Sequence, residues 1–179
     1  SFIFRKMNLE KFVTSGVMKD INKFGEEQTK FPFTMKNIYK MFEVIVGTRE
    51  QTFNRALEEA IDKITMHTHE NRYQVEGWKT NSGYMLNQKF ICEGVVGFNF
   101  SSDLKVKYDS YGVNRIDDLM KVLCQITGTD FAKFGSMHNY FDRQPIESNK
   151  WYDFAFFDVK FFKKGTAHFK FKNTNDWYL

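Results

Sequence analysis

Two prolines, two cysteines, four histidines and no long apolar run set the outer limits on this chain of 179 residues. Cys92 and Cys124 show no framework spacing and no secretory leader is recognisable, so disulfides are not expected and a reducing cytoplasm is the expected compartment. No stretch approaches the roughly 20 apolar residues of a membrane span, so no membrane partner is expected. Pro32 and Pro145 stand alone, which excludes the Asn/Asp-Pro-Pro-aromatic signature of amino-methylating DNA methyltransferases. There is no Walker-type phosphate loop, no Gly-x-Gly-x-x-Gly following a strand and no nucleophile elbow. No cofactor and no catalytic residue are expected. His67 and His69 are two apart, so on a helix they point about 200° from one another. His138 and His168 are distant in sequence, and neither cysteine lies near a histidine. No zinc site is expected from such a set.

What is present is phenylalanine and lysine. Twenty-one Phe, 42% hydrophobic and 27% charged residues are the values of a globular chain that can bury a core without disulfides or metals. Phe, Lys, Asn and Ile run high together, as in AT-rich coding sequence, and most of the Phe fall at core-facing positions. A net charge of +4 permits weak attraction to nucleic acid or anionic surfaces without requiring it. The length fits one domain, 1–179, and the chain reads as an excerpt of a longer protein.

Periodicity divides the chain into a helical part, about 8–71, and a mixed strand and helix part, about 72–179. Asn8 can cap a first helix with stripe Leu9, Phe12, Val13, Val17, Ile21 and Phe24, weakened at Gly16 and closed by Gly25. Phe31-Pro32-Phe33 is an extended link. Met35, Ile38, Tyr39, Phe42, Ile45 and Val46 form a second stripe ending at Gly47. Thr48 and Gln51 match a capping box, and Phe53, Ala56, Leu57, Ala60, Ile61 and Ile64 continue as a helix to about His69. Leu86 to Cys92 reads as a strand, with Val95 to Phe100 as a further candidate. Leu104 to Tyr108 reads as a strand or an irregular crossing. Asn114 is taken as the cap of a helix with Asp117 in its first turn and Ile116, Leu119, Met120, Leu123 and Ile126 on one face, ended by Gly128. Thr129 to Asn149 reads as loop.

The last segment is the most specific. Trp151 to Lys172 alternates apolar and polar residues around Lys163-Lys164-Gly165. As a three-residue loop with Gly165 left-handed, it sets Phe157, Val159 and Phe161 opposite Phe171, Phe169 and Ala167. Asp158 and Lys160 then oppose Lys170 and His168 on a polar face. The fold class that follows is α+β: a helical N-terminal half packed on a small antiparallel sheet that ends in a C-terminal hairpin.

Asp158-Val159-Lys160 matches the acidic-x-Lys triplet of metal-dependent nucleases, with Asp142 or Asp153 upstream. A second triplet starts at Asp103, and about two arise by chance in a chain with 22 acids. A cross-strand charge pair with Lys170 accounts for Asp158 more simply. Basic residues in the C-terminal half (Lys79, Lys89, Lys105, Lys107, Arg143, Lys163, Lys164, Lys170, Lys172) lie among Trp78, Tyr84, Tyr108, Tyr111 and Trp151. That mixture suits a surface that contacts single strands or flipped bases, or an ordinary solvated lysine face. The candidate nucleic-acid contacts are Trp78, Lys79, Lys163, Lys164, Lys170 and Lys172.

His69-Glu70-Asn71-Arg72, Gly77-Trp78-Lys79-Thr80-Asn81-Ser82-Gly83-Tyr84, Lys89-Phe90-Ile91 and the segment Phe161 to Phe171 carry a resemblance. With the Thr48 to Asn71 helix they resemble an uncharacterised domain family of Bacteroides-type gut bacteria, phages and conjugative elements, over about residues 40–179. In that family the domain often follows a class I, adenine-type DNA methyltransferase domain in one polypeptide. The resemblance implies an accessory domain in mobile-element or phage DNA modification, and the modest net charge with the basic–aromatic mixing suits weak, non-specific DNA contact. A methyltransferase domain in the same or a neighbouring polypeptide would be its partner. It carries over no catalytic residue, so the chain is not expected to be an enzyme on its own. A structural or protein-interaction domain is the alternative, and a metal-dependent nuclease is a third reading.

Overall fold

The computed structural model describes residues 34–47, 49–65, 88–100 and 102–173, with the separate positions 16, 19, 23 and 26. Those four positions are helical; Glu26 is one residue past the glycine expected to end that helix. The other features expected in residues 1–33, including the Asn8 cap and the Pro32 link, lie outside the described residues. So do Thr48 of the capping box, the helix end beyond Thr65 and the turn-rich segment around Trp78.

Helix α1 spans Met35–Gly47 and α2 spans Arg49–Thr65. The stripe expected on α2 is buried most deeply at Ala56 and Ala60, with Ile64 also buried, while Phe53, Leu57 and Ile61 are half-buried. Small side chains let α2 lie close against the helix of the C-terminal half. On α1, Met35 and Tyr39 are exposed, contrary to a fully buried stripe.

The sheet residues form strands β1 (Lys89–Cys92), β2 (Val96–Phe98), β3 (Leu104–Val106), β4 (Trp151–Phe154), β5 (Phe157–Phe161) and β6 (Ala167–Phe171). Four strands make one antiparallel sheet in the order β1-β6-β5-β4, and β2 pairs with β3 in a second. The fold is α+β, as expected. The β5–β6 register is the one that alternation dictates: Phe157, Val159 and Phe161 face Phe171, Phe169 and Ala167. All six are fully buried. Gly165 has φ +95°, and its N–H donates to the Phe162 carbonyl at 3.0 Å, closing the three-residue loop. The first apolar run, however, is two strands. It turns back at Ala155-Phe156, with Ala155 at φ +49°, so β4 pairs with β5 through a two-residue connection.

Helix α3 (Tyr111–Ile126) starts earlier than the sequence reading places it. Ser110 is the cap: its hydroxyl accepts from the Val113 N–H at 3.3 Å and donates to the Gly94 carbonyl at 2.8 Å. Asn114 is inside the helix, its amide donating to Asp109 at 2.9 Å. Asp117 is accordingly not in the first turn. Its carboxylate instead accepts from the Met137 N–H at 2.8 Å. Gly128 has φ +67° and ends the helix as expected. The segment 129–149 is not plain loop: it holds a 3-10 turn at Phe131–Lys133 and a short helix α4, Met137–Phe141. Asp130 and Ser136 cap these two turns, and a bridge joins Ile146 to Leu104.

One core cluster joins the sheet's inner face to α3 and α4. Phe90 stacks on Phe169 at 5.0 Å, while Phe141 meets Phe154 and Phe161 nearly edge to face or tilted. Seven phenylalanines are buried in this cluster; rings of this size bury 150–250 Å² each in general. The N-terminal turn of α3 butts against the β1–β2 turn. Gly112 allows this, because a Cβ there would stand 2.0 Å from the Glu93 carbonyl oxygen. The same β1–β2 turn holds the hairpin loop, as the Val95 N–H donates to the Gly165 carbonyl at 3.0 Å.

Candidate nucleic-acid interface

The inner face of the four-stranded sheet is apolar, so its alternate residues form an outer polar face. Register places them in two rows. Lys89, Lys170, Asp158 and Asp153 lie side by side across β1, β6, β5 and β4. Ile91, His168, Lys160 and Trp151 form the next row. Three strand spacings make this face about 14 Å wide. A shallow depression of ≈ 420 Å³ on it is lined by Lys89, Trp151, Asp158 and Lys170.

Charge is distributed unevenly over this surface. Lys89 and Lys170 are register partners, and Lys163 and Lys164 extend from the adjoining loop with exposed side chains. Lys160 lies over the ring of Trp151, its Nζ 4.7 Å from the centroid. His168 is half-buried beside Phe162, ring centroids 4.3 Å apart. Burial, then Lys164 and Lys160, push its pKa down to about 4, so it is neutral at pH 7. The positive charge therefore comes from lysines alone. Towards β4 the acids take over: Asp153 pairs with Lys172 at 2.6 Å, and Lys172 Nζ also donates to the Ala155 carbonyl at 2.8 Å.

The six expected contacts separate into three groups. Lys163 and Lys164 share the hairpin loop, and Lys170 lies mid-strand on the same sheet. Lys172 follows the opposite end of β6 and is engaged by Asp153. Trp78 and Lys79 lie outside the described residues. Lys89, Lys160 and Trp151 complete the surface and were not among the six. Alternation identifies the face of Lys160, but Trp151 joins it only through the turn at Ala155-Phe156, and Lys89 only through the long-range β1–β6 pairing.

The nuclease constellation assembles only in part. Asp153 and Asp158 are cross-strand partners with Lys160 on the same face. Asp142 instead ends α4, where its carbonyl accepts from Lys105 Nζ at 3.0 Å. Among the described residues, no group of three or more His, Cys, Asp or Glu could hold a metal ion. No helix among the described residues is long and apolar enough to cross a membrane.

A family profile described as "Domain of unknown function (DUF4942)" matches residues 1–176. The chain belongs to that uncharacterised domain family. No curated protein and no solved structure matches it.

Proposed function

We propose that this domain is an accessory, DNA-contacting, non-catalytic part of a mobile-element or phage DNA-modification protein, with a methyltransferase domain as its partner in the same or a neighbouring polypeptide. The observation that carries the DNA contact is the lysine-bearing outer sheet face, where Lys89, Lys160 and Lys170 line neighbouring strands and Lys163 and Lys164 extend the surface. The sequence resemblance supplies the methyltransferase context. A few phosphate contacts give dissociation constants of roughly 1–100 micromolar, each contact steepening the salt dependence by about 0.7–0.9. Fluorescence anisotropy with single- and double-stranded oligonucleotides across a salt series is the test. Charge-neutralising Lys163, Lys164 and Lys170 should weaken binding and flatten the slope. Neutralising Lys172 alone should do less, because Asp153 already offsets it. Absence of binding at about 100 micromolar protein in low salt would reject the reading.

A second reading, a protein-interaction domain, is favoured by different residues. Phe98, Phe100, Tyr108 and Tyr111 are large and exposed, and none belongs to the four-stranded sheet. A partner protein that binds with unchanged affinity after the lysine substitutions would favour this reading.

A further inference from the structure

Arg115 on α3 is only 8% exposed, yet among the described residues it has no counter-ion of the kind a buried guanidinium normally has. Its Nε is buried without a hydrogen-bond partner. Its Nη2 donates to the Tyr111 hydroxyl, and the Tyr111 ring lies 3.9 Å beneath the guanidinium carbon. Among the described residues no carboxylate pairs with it, and the acids nearest in sequence are engaged elsewhere. Asp109 accepts from Asn114, Asp117 from the Met137 N–H, and Asp118 faces Lys121 at 3.6 Å. Guanidinium stays charged at any working pH. A buried charge without a partner is destabilising, so folding alone does not account for it.

The geometry of the group says what is missing. Nε and Nη2 point along the same edge of the guanidinium plane, the edge that binds carboxylate or phosphate oxygens in pairs. Here Nε is vacant, and Nη2 donates to a neutral hydroxyl rather than to an anion. Tyr111, its cover, is 63% exposed, so rotation about its side-chain bonds opens the edge to solvent. The position is tied to the lysine loop by short contacts: Ser110, next to Tyr111, donates to the Gly94 carbonyl, and the adjoining Val95 N–H donates to Gly165 of the loop.

We propose that Arg115, under a movable Tyr111, is an oxyanion site that takes a backbone phosphate of a nucleic acid held by the hairpin loop. This rests on the DNA-contacting reading and extends it to a specific residue. The test compares wild type, Arg115→Met and Arg115→Lys. It measures thermal midpoint with and without inorganic phosphate, and anisotropy with a fluorescent 12-residue oligo(dT). Arg115→Met should fold with an unchanged or higher midpoint, since an unpaired buried charge has been removed. Phosphate should raise the wild-type midpoint and leave that of Arg115→Met where it is. Affinity for oligo(dT) should fall about tenfold, with a salt slope shallower by about 0.7–0.9. If Arg115→Met does not fold, Arg115→Lys decides, because lysine keeps the charge and loses the paired edge; a phosphate response equal to wild type overturns the site. Oligo(dT) bound alike by wild type and variant also overturns it while leaving the DNA reading intact. A wild type that ignores oligo(dT), yet gains stability from phosphate through Arg115, keeps the oxyanion site and sinks the DNA reading.

Discussion

Gly112→Ala tests how α3 is seated. In most helices this substitution stabilises by about 1 kcal/mol, because alanine is the better helix former. Here the new Cβ would lie 2.0 Å from the Glu93 carbonyl oxygen and 2.9 Å from the Gly94 carbonyl carbon. Ordinary contact begins near 3.4 Å, so the helix and the β1–β2 turn must separate by more than an ångström. Both sides are backbone, and no flexible side chain can yield. Separation stretches the Ser110 hydroxyl bond to Gly94 and the Cys92 thiol contact with the Gly112 carbonyl at 3.6 Å. Overpacking costs about 1–3 kcal/mol, and a lost hydrogen bond about 1 kcal/mol more. Against the helix gain, the net loss is about 1–3 kcal/mol. Gly47→Ala is the matched control: it also lies in a helix, but nothing comes within 4 Å of its added Cβ. Urea unfolding followed by circular dichroism should move the two midpoints in opposite directions at constant slope. If both variants are as stable as wild type or more so, the close approach at Gly112 is wrong.

Gly165→Val should cost more than about 1 kcal/mol, because φ +95° is strained for a β-branched residue; a chemical melt measures it. Ala155→Gly should raise the melting midpoint by relieving φ +49° at the β4–β5 turn, worth about 1 kcal/mol. On α2, half-buried Leu57→Ala should cost about 1–2 kcal/mol, less than a full core truncation, whereas Ala60→Leu should lose about 1–3 kcal/mol by overpacking; equal, negligible losses would mean that this face is not packed. Stability against pH should show two opposing effects. Burial raises Asp117 to about 6, above its unfolded value near 3.9, so its contribution favours the folded state at low pH and is lost as pH rises through about 4–6. His168 is lowered to about 4 from 6.5, so its contribution is lost as pH falls through that window. Relative to wild type, Asp117→Asn should gain stability as pH rises from about 4 to 6, and His168→Gln should gain it as pH falls from about 6.5 to 4. Parallel pH profiles for all three proteins would reject both assignments.

Local signals account for what was legible. The β5–β6 register follows from alternation and one glycine, both within the segment itself. The choice of cap for α3 does not. Ser110 and Asn114 are equally good capping residues, and the decision falls to Gly112, which only in the earlier start meets Glu93 and Gly94. Helix α4 is five residues long, too short for a periodic stripe to show. It is secured by Asp117, a residue from another helix. The candidate interface divides in the same way: the loop lysines are visible in the sequence, while Lys89 beside Lys170 depends on strands far apart in the chain. Arg115 could have been noticed only by finding it buried.

Strand β6 lies between β1 and β5, although it is the last of the six to be synthesised. A ribosome making this chain therefore releases β1 and the β4–β5 hairpin before the strand that joins them exists. In that interval β1 and β5 each present an open edge, and Phe90, Phe157 and Val159 have no partner across it. The nascent domain would thus pass through a stage with two exposed strand edges shaped for the same missing strand, a point at which holding by a chaperone or strand exchange between neighbouring chains would act.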